Sequence, residues 1–499
     1  MPRARDGPRR PRGHLPPGSA RPNGYRRGVT SPSPARPGVI APRRVSFEEA
    51  QRYDRPGPRY PSYPTANEFH DRFGSDDYAA ALRAASTVDA PLSLYLHLPF
   101  CQERCLYCAC NVVITPHAYV SEPYLDRLET EMDLVVAQLG RARPVAQLHL
   151  GGGTPTYFRP DQLHDLMERL EARFAFTPDA EKALEVDPRV TTREHLEVLA
   201  QHGFNRLSLG VQDFDPTVQE AIHRVQSVEQ TRALMDAARE LEFGSLNVDL
   251  IYGLPHQTPE SFARTIQSVV ELEPDRLAVY SFALVPWLKH HQKLLPQEAL
   301  PSPETKLELL LAAREGLTGA GYLDIGMDHF ALPDDELSVA QRDGRLWRNF
   351  MGYTTVRAPD MIGLGVSSIG SVGRTFEQNE KKLSRYYEAL DAGRLPVERG
   401  YALSDDDAVR QHVIRDWMCQ FRIDAADVEA RFGIDFAGYF AEELATLRQE
   451  FEPEGLVRVH DGGVEAEELG RLFPRNVAMV FDTFLRAKHD GGPRFSRTV

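Results

Sequence analysis

The feature that most constrains this chain is a run of four cysteines within ten positions. They are Cys101, Cys105, Cys108 and Cys110, and the whole sequence of 499 residues contains five cysteines. The first three are spaced C-x3-C-x2-C, and a short apolar run, Leu92 to Leu98, leads directly into them. Cysteines this dense in a cysteine-poor chain indicate a site of chemistry rather than packing.

Three kinds of site compete for this spacing. A disulfide framework is disfavoured, because a chain of this length does not need covalent staples. A structural zinc site normally joins two separated cysteine or cysteine/histidine clusters, and the sequence offers no second cluster. An iron–sulfur cluster is favoured, because thiolates are the ligands that it selects. A tight loop can aim three thiolates at three irons and leave a fourth iron open to a small molecule.

Charge and hydropathy exclude several classes of function. No apolar run approaches 18 residues, so the sequence predicts no transmembrane helix. The net charge of -14 argues against non-specific binding of nucleic acid. At 42% apolar residues, the chain can bury a large core and is expected to form two domains.

The composition divides the chain into three parts. Residues 1–44 are rich in Arg and Pro and poor in apolar residues, which predicts a disordered tail. A transit peptide and a misassigned start codon are the alternatives. Residues 45–375 are expected to form the catalytic domain with an N-terminal arm. Residues 376–499 are expected to form a mainly helical domain with a small hairpin.

Between the cysteines and residue 320, β-like runs alternate with helical patterns. The β-like runs are Leu92–Leu98, Val145–Leu150, Ala183–Val186, Arg206–Gly210, Leu246–Ile251 and Leu277–Ala283. The helical patterns are Tyr124–Leu139, Gln162–Phe174, Glu194–Gly203, Val228–Phe243, Glu260–Leu272 and Glu304–Ala320. This alternation predicts an α/β fold with a parallel sheet, and six units predict a partial (β/α)6 barrel.

Polar residues follow the predicted strands at the ends where such folds gather their chemistry. Gly151-Gly152-Gly153 follows the second strand, and we expect it to expose amide N–H groups to an anion. Glu185 closes the third strand, Gln212 follows the fourth, and Asp249 lies in the fifth. Each residue alone could be a helix cap or a surface group. Together they are better explained by one shared polar ligand.

The C-x3-C-x2-C loop resembles the signature of the radical S-adenosylmethionine (SAM) superfamily. More narrowly, the chain resembles the oxygen-independent coproporphyrinogen III dehydrogenase (oxidase) family from about Gly57 to its C-terminus. The stretches that carry the resemblance are Gly57–Ala66, Tyr95–Cys101, Gly151–Pro155, Glu185–Pro188, Gly210–Phe214, Asp249–Pro255, Gly326–Phe330 and Asn349–Thr355. The expected architecture is therefore a partial (β/α)6 radical-SAM barrel with an N-terminal extension and a mainly helical C-terminal domain.

The resemblance implies roles for individual residues. It makes Cys101, Cys105 and Cys108 ligands of a [4Fe-4S] cluster, and it makes Cys110 a residue needed for activity without ligating. The family binds two SAM molecules. Positions around the cluster-bound molecule are matched by Tyr95, Gly152, Glu185 and Ile369. Further SAM-contacting positions are matched by Tyr107, Gly153, Thr154, Gln212, Arg224, Asp249 and Ala283. Tyr107 and Leu284 depart from the residues that many members carry, phenylalanine and histidine.

The implied reaction is oxidative decarboxylation of two propionates of coproporphyrinogen III to vinyl groups, giving protoporphyrinogen IX. A 5′-deoxyadenosyl radical abstracts a hydrogen from the propionate β-carbon, CO2 leaves, and an electron passes to an acceptor that the sequence does not identify. The electron donor is equally unidentified. We expect a monomer in a reducing cytoplasm, without membrane or nucleic-acid partners. The alternative is the related haem chaperone, which lacks the Gly352–Thr355 stretch and has an aromatic residue at the position of Cys110.

Other residues keep two interpretations. Helical patterns at Asp405–Phe421, Ala425–Phe432 and Tyr439–Glu450 precede a hairpin at Gly455–Glu465, which suggests a winged-helix-like module. Its acidity favours closure over the active site instead of DNA binding. His97 is expected to lie among the residues that surround and orient the cluster ligands. Cys419 is expected to be a buried thiol. His329 could contact substrate or simply pack. Gly57–Ala66 is expected to be extended and to serve as a surface brace, the alternative being a segment that lies over a pocket.

Overall fold

The computed structural model describes residues 45–140 and 143–486. The tail predicted over residues 1–44 lies outside these ranges. In chain order the strands are β1 Leu92–Leu98, β2 Phe100–Cys101, β3 Val113–Ile114, β4 Val145–Gly152, β5 Phe176–Val186, β6 Arg206–Gln212, β7 Ser245–Tyr252, β8 Arg276–Ser281, β9 Leu323–Gly326, β10 His329–Ala331, β11 Trp347–Asn349, β12 Gly352–Thr354, β13 Asp360–Leu364, β14 Ile369–Val372, β15 Thr375–Asn379, β16 Val397–Ala402, β17 Arg422–Asp424, β18 Val457–His460 and β19 Gly463–Ala466.

The helices follow the predicted alternation. They are α1 Phe47–Tyr53, α2 Ser75–Ala85, α3 Ser121–Leu139, α4 Pro160–Glu171, α5 Arg193–Gln201, α6 Pro216–Ala221, α7 Val228–Glu240, α8 Pro259–Val270, α9 Pro303–Gly319, α10 Glu336–Arg342, α11 Leu383–Asp391, α12 Asp405–Gln420, α13 Ala425–Phe432, α14 Phe436–Tyr439, α15 Ala441–Thr446, α16 Glu468–Leu472, α17 Pro474–Ala478 and α18 Thr483–Arg486. Short 3-10 turns and a π-helical turn at Leu447–Phe451 complete the chain. Within the described ranges, no helix is long and apolar enough to cross a bilayer.

The main sheet has the order β16-β15-β14-β13-β1-β4-β5-β6-β7-β8-β10-β9. The strands from β13 to β8 are parallel, and the strands at both edges are antiparallel. The predicted partial (β/α)6 arrangement is confirmed. Strand β13, parallel to β1, was not predicted, because no helix of the alternating series leads into it.

Strand alternation separates the core from the site. In β1, Leu92, Leu94, Leu96 and Leu98 are almost fully buried and join one hydrophobic cluster with the surrounding helices. The intervening side chains are polar and form hydrogen bonds. For example, the Ser93 hydroxyl donates to Gln147 of β4. Because side chains alternate between faces, the apolar residues fix the strand register and leave the polar ones for the concave face.

A second hydrophobic cluster joins the N-terminal arm to the C-terminal helices. Tyr60 and Tyr63 belong to it, and their hydroxyls bond to Asp482 and Thr483. The prediction of a surface brace over Gly57–Ala66 is therefore wrong, because both tyrosines are buried. The predicted hairpin is present as β18–β19, and Cys419 is a buried thiol as predicted.

A buried ion pair ties β13 to the start of β4. Arg143 Nη1 lies 2.6 Å from Asp360 Oδ2, with side-chain exposures of 1% and 2%. We predict that Asp360→Ala lowers the free energy of unfolding by about 3–5 kcal/mol, because it leaves a buried guanidinium without its counter-charge. The matched control is Asp391→Ala, which breaks the exposed Arg127–Asp391 pair and is expected to cost at most about 1 kcal/mol. The free energy of unfolding is measured in urea. Equal losses for Asp360→Ala and Asp391→Ala would contradict the stabilising role of the buried pair.

Candidate active site

The cysteine loop begins at the end of β1 and is fixed by backbone hydrogen bonds. The amide of Gly153 donates to the Leu98 carbonyl at 2.8 Å, and the amide of Thr154 donates to the Phe100 carbonyl at 2.9 Å. The expectation that this glycine stretch presents amides to an anion is therefore wrong at Gly153. Its amide and that of Thr154 instead attach the end of β4 to the entrance of the cysteine loop. The Gly152 amide does meet an anion, since it donates a hydrogen bond to the Glu185 carboxylate.

The glycines are needed because the two segments approach so closely. A Cβ atom at Gly152, whose φ is +110°, would lie 2.6 Å from the His97 ring. A Cβ atom at Gly153 would lie 2.6 Å from the Pro99 carbonyl carbon. A side chain at Gly152 would displace the His97 ring, and one at Gly153 would displace the backbone at Pro99.

A cavity of about 1110 Å³ opens at the carboxyl ends of the parallel strands. Its lining contains most of the predicted site residues, namely Cys101, Cys105, Tyr107, Cys108, Cys110, Gly152, Gly153, Thr154, Glu185, Gln212, Arg224 and Asp249. It also contains Asp187, Arg189, Ser208 and Tyr280. The cavity therefore joins the cysteine loop to the polar ends of four further strands.

The predicted residues Tyr95, Ala283 and Ile369 lie outside this lining. Tyr95 stacks on His149 and its hydroxyl lies 3.1 Å from His97 Nδ1. The Ala283 carbonyl accepts a hydrogen bond from Gln292, and Ile369 begins the antiparallel strand β14.

Two arginines approach the thiol of Cys105. Arg189 Nη2 and Arg224 Nη1 each lie 3.6 Å from its sulfur, and both guanidinium groups bind Asp187. Burial favours the neutral form of Asp187, but the two arginine charges outweigh it and hold the pKa of Asp187 below its ordinary value. The arrangement places two guanidinium groups beside the Cys105 sulfur. Arg189 was not predicted as a site residue. Its position two residues after Asp187, at the end of a predicted strand, could have indicated it.

The other thiols have contrasting environments. Burial raises the pKa of Cys101 to about 11. A hydrogen bond from the Cys110 thiol, helped by Lys289 and Arg104, lowers the pKa of Cys108 to about 6. Cys110 is thus the proton donor of this pair, and its own pKa is raised well above the ordinary value.

The spacing of the thiols distinguishes between a single ion and a cluster. Over residues 45–140 and 143–486, the only trio of His, Cys, Asp or Glu ligand atoms within 4.8 Å of one another belongs to His412, Asp416 and Asp427. The thiols of the cysteine loop do not converge that closely. A zinc ion bound through sulfur at about 2.3 Å would require them to do so, whereas a cubane spreads its ligands over several irons. The donor set fits an iron–sulfur cluster.

Carboxylates face the cavity from the neighbouring strands. Glu185 leaves 49% of its side chain accessible, and its Oε1 lies 3.4 Å from His149 Nε2. Burial opposes its charge, but hydrogen bonding and the charge of His149 hold the pKa of Glu185 below its ordinary value. Burial and the nearby Glu185 raise the pKa of Asp249 to about 7, while Asn247 and Ser208 donate hydrogen bonds to it. Glu185, like Asp187, therefore favours its ionised form.

A segment that sequence reasoning missed holds the cysteine loop from the opposite side. Gln292 donates to the Tyr107 carbonyl at 3.0 Å, Lys289 donates to the Cys110 carbonyl at 3.0 Å, and His291 Nε2 lies 2.8 Å from the Cys108 carbonyl. On the β1 side, His97 Nε2 lies 2.9 Å from the Asn111 carbonyl. These contacts are to backbone atoms of the loop, so no spacing motif could have indicated them.

Comparisons with known proteins agree with this geometry. A model of the radical SAM superfamily matches residues 95–269, and a model described as the HemN C-terminal domain matches residues 403–473. The chain is 47% identical over 451 residues to an oxygen-independent coproporphyrinogen III oxidase from Pseudomonas aeruginosa, covering 90% of this chain and 97% of that protein. It is 47% identical over 438 residues to the protein of the same name from Escherichia coli, with coverage of 88% and 95%.

A solved structure gives the same result. Coproporphyrinogen III oxidase (HemN) from Escherichia coli, described as a radical SAM enzyme, superposes with a TM-score of 0.82 at 46% identity. The match covers 85% of this chain and 97% of that structure.

The assignment of the three ligands predicts a specific loss of metal. We expect Cys105→Ala to lose most of the iron and sulfide that the reconstituted protein binds, roughly four irons per chain, because one of three thiolates is removed. The matched control is Cys419→Ala, which removes the buried cysteine of α12 and should keep the full iron content. Full iron in Cys105→Ala, or zinc in place of iron in the wild type, would contradict the assignment.

Proposed function

Because this chain belongs to the family of oxygen-independent coproporphyrinogen III oxidases, we propose that it oxidatively decarboxylates two propionates of coproporphyrinogen III to vinyl groups. The product is protoporphyrinogen IX, and the pathway is haem biosynthesis. The observation that carries the proposal is the cavity that joins Cys101, Cys105 and Cys108 to the polar strand ends.

In this proposal the cysteine loop holds a [4Fe-4S] cluster through Cys101, Cys105 and Cys108. When bound, the cluster supplies one electron for the cleavage of SAM to methionine and the 5′-deoxyadenosyl radical that abstracts a hydrogen from the propionate. Arg189 and Arg224 lower the electrostatic cost of the clustered thiolates, since both lie beside Cys105. Lys289, His291 and Gln292 hold the loop backbone in place.

Glu185 is proposed to bind the SAM ammonium group. It carries a permanent negative charge, lies on β5 beside the cysteine loop, and is accessible from the cavity. Tyr95 and His149 stack next to it and fix its orientation. Asp249 and Gln212 provide acceptors for ribose hydroxyls from the next strands. Gly152, Gly153 and Thr154 shape the wall between them.

We further propose two SAM molecules. The support for two molecules is the family resemblance, in which two sets of positions contact SAM. Glu185, Gly152, Tyr95 and Ile369 are assigned to the cluster-bound molecule. The other SAM-contacting positions, several of them around the second molecule, are assigned to Tyr107, Gly153, Thr154, Gln212, Arg224, Asp249 and Ala283.

Cys110 is proposed to act in the reaction without ligating the cluster. It lines the cavity beside the three proposed ligands, and its hydrogen bond to Cys108 raises its pKa.

The free thiols favour a reducing compartment. All five cysteines are free, and a reducing cytoplasm would keep them so. We propose a monomer that takes electrons from a separate donor and passes them to a separate acceptor. Nucleic acid is not an expected partner, since Glu465 and Asp461 make the C-terminal hairpin acidic.

Glu185→Gln tests the ammonium site. We expect SAM to bind about 10- to 100-fold more weakly, because a charge-assisted hydrogen bond becomes a neutral one. The measurement is equilibrium dialysis of SAM against the anaerobic, reconstituted protein. Asp179→Asn is the matched control, since Asp179 is an exposed carboxylate on the same strand. An unchanged SAM affinity in Glu185→Gln would remove Glu185 from the site.

The reaction itself is tested anaerobically with SAM, a reductant and coproporphyrinogen III. We expect protoporphyrinogen IX and 5′-deoxyadenosine from the wild type. Cys110→Ser should keep its iron but lose product formation, because Cys110 is proposed to act in the reaction and not to ligate the cluster. Tight haem binding without any decarboxylated product would favour the haem chaperone and refute the oxidase.

A further inference from the structure

A cluster of cationic and aromatic side chains adjoins the cavity at Tyr280. The His329 ring meets Tyr280 edge-on at 6.0 Å, and the Arg59 guanidinium lies 5.5 Å from the centre of the Tyr280 ring. His329 also meets Tyr353 at 5.2 Å, and Arg348 lies 4.6 Å from the centre of the Tyr353 ring. We call these five residues the Arg348 pocket. Of these five residues only Tyr280 lines the cavity, so Tyr280 marks the boundary between the cavity and the Arg348 pocket.

The charge of Arg348 has no matching acceptor in the described part of the chain. The residue is 9% exposed, and its Nη2 donates one long hydrogen bond of 3.5 Å to the Arg59 carbonyl. Its Nε and Nη1 atoms are buried without a partner. The neighbouring carboxylate, Asp328, forms an ion pair with Arg59. A buried guanidinium with two unpartnered nitrogens is costly unless an anion binds it.

The surroundings also favour an anion. Burial, together with the charges of Arg475 and Arg348, lowers the pKa of Arg59 to about 10. Burial and the charges of Arg348, Arg59 and Arg276 lower the pKa of His329 to about 3, so its imidazole is neutral. The Nδ1 atom of His329 is buried and has no hydrogen-bond partner among residues 45–140 and 143–486. The pocket therefore combines excess positive charge with unused hydrogen-bonding nitrogens on two side chains.

We propose that Arg348, assisted by His329, binds a carboxylate of the macrocyclic substrate. This assignment rests on the proposed function, because coproporphyrinogen III carries its propionates on the rim of an apolar ring. The ring can rest in the cavity against Tyr280 while one propionate extends into the pocket. Guanidinium groups match carboxylates in geometry as well as charge.

The carboxylate bound here is one that the enzyme keeps. An ion pair with Arg348 stabilises a carboxylate over neutral CO2, and would therefore oppose decarboxylation of the propionate that it holds. A propionate undergoing reaction must instead lie near the cysteine loop. Arg348 is thus a specificity-determining residue, because fixing a retained propionate decides which propionate reaches the reactive end of the cavity.

The test measures binding without cluster or SAM. Coproporphyrin III, the unreactive oxidised form of the macrocycle, is titrated by fluorescence against wild type, Arg348→Met and the matched control Arg357→Met. Arg357 is an exposed arginine close in sequence, with its guanidinium over Trp347. We expect about 10- to 100-fold weaker binding for Arg348→Met alone. The tetramethyl ester of the probe should bind equally to all three proteins.

Thermal unfolding separates a ligand site from a structural role. Removal of a buried charge without a partner should leave the midpoint of Arg348→Met unchanged or raise it. Unchanged affinity for the tetra-acid would overturn the proposal. If Arg348→Met does not fold, Arg348→Lys decides: it keeps the charge with fewer donors, so binding should weaken several-fold, and unchanged affinity overturns the proposal.

The two proposals fail in different ways. Product formation by the wild type, with equal probe binding by Arg348→Met, would refute the pocket and leave the oxidase assignment intact. Arg348-dependent binding of coproporphyrin III by a wild type that forms no product would refute the oxidase and retain the carboxylate site. With both intact, Arg348→Met should raise KM and also yield vinyl products in altered order, which a purely structural residue would not do.

Discussion

The parallel alignment of the strands from β13 to β8 is the constraint on which the site depends. It brings the carboxyl ends of successive strands to one edge, so Glu185, Gln212 and Asp249 face a single cavity although they are far apart in sequence. The cysteine loop leaves β1 at the same edge. Its position is fixed by amides of Gly153 and Thr154 and by side chains from the segment after β8. A shift of one residue in any strand would turn a polar group into the apolar layer.

Charge is distributed unevenly around the cavity. Arg189 and Arg224 lie beside the thiol of Cys105, where negative charge collects when thiolates bind a metal cluster. Arg348 and Arg59 lie beyond Tyr280, where we place a substrate carboxylate. Glu185 lies on β5 beside the cysteine loop and suits the SAM ammonium group. The thiolate-bound cluster, the substrate carboxylate and the SAM ammonium group would thus each lie beside protein charges of the opposite sign.

Much of this could be predicted from the sequence. The alternation of apolar runs predicted six helices and six of the seven parallel strands, since local periodicity reflects burial. The cysteine spacing, the polar strand ends and the family resemblance located the cavity, since most of the residues that they indicated line it. Strand β13 was missed, because its pairing with β1 is long-range and follows several short antiparallel strands. Gln292 was also missed, since it binds backbone carbonyls that any sequence would supply. The glycine stretch was misread at Gly153, whose amide binds the Leu98 carbonyl of β1. Close approach of two backbones and anion binding leave the same sequence pattern.

The most direct test of the account is the fate of a labelled hydrogen. Coproporphyrinogen III deuterated at the propionate β-carbons is incubated anaerobically with the reconstituted protein, SAM and reductant, and 5′-deoxyadenosine is analysed by mass spectrometry. The account predicts one deuterium in the 5′-deoxyadenosine formed for each vinyl group. Formation of 5′-deoxyadenosine without deuterium, or binding of the macrocycle without any vinyl product, would contradict it.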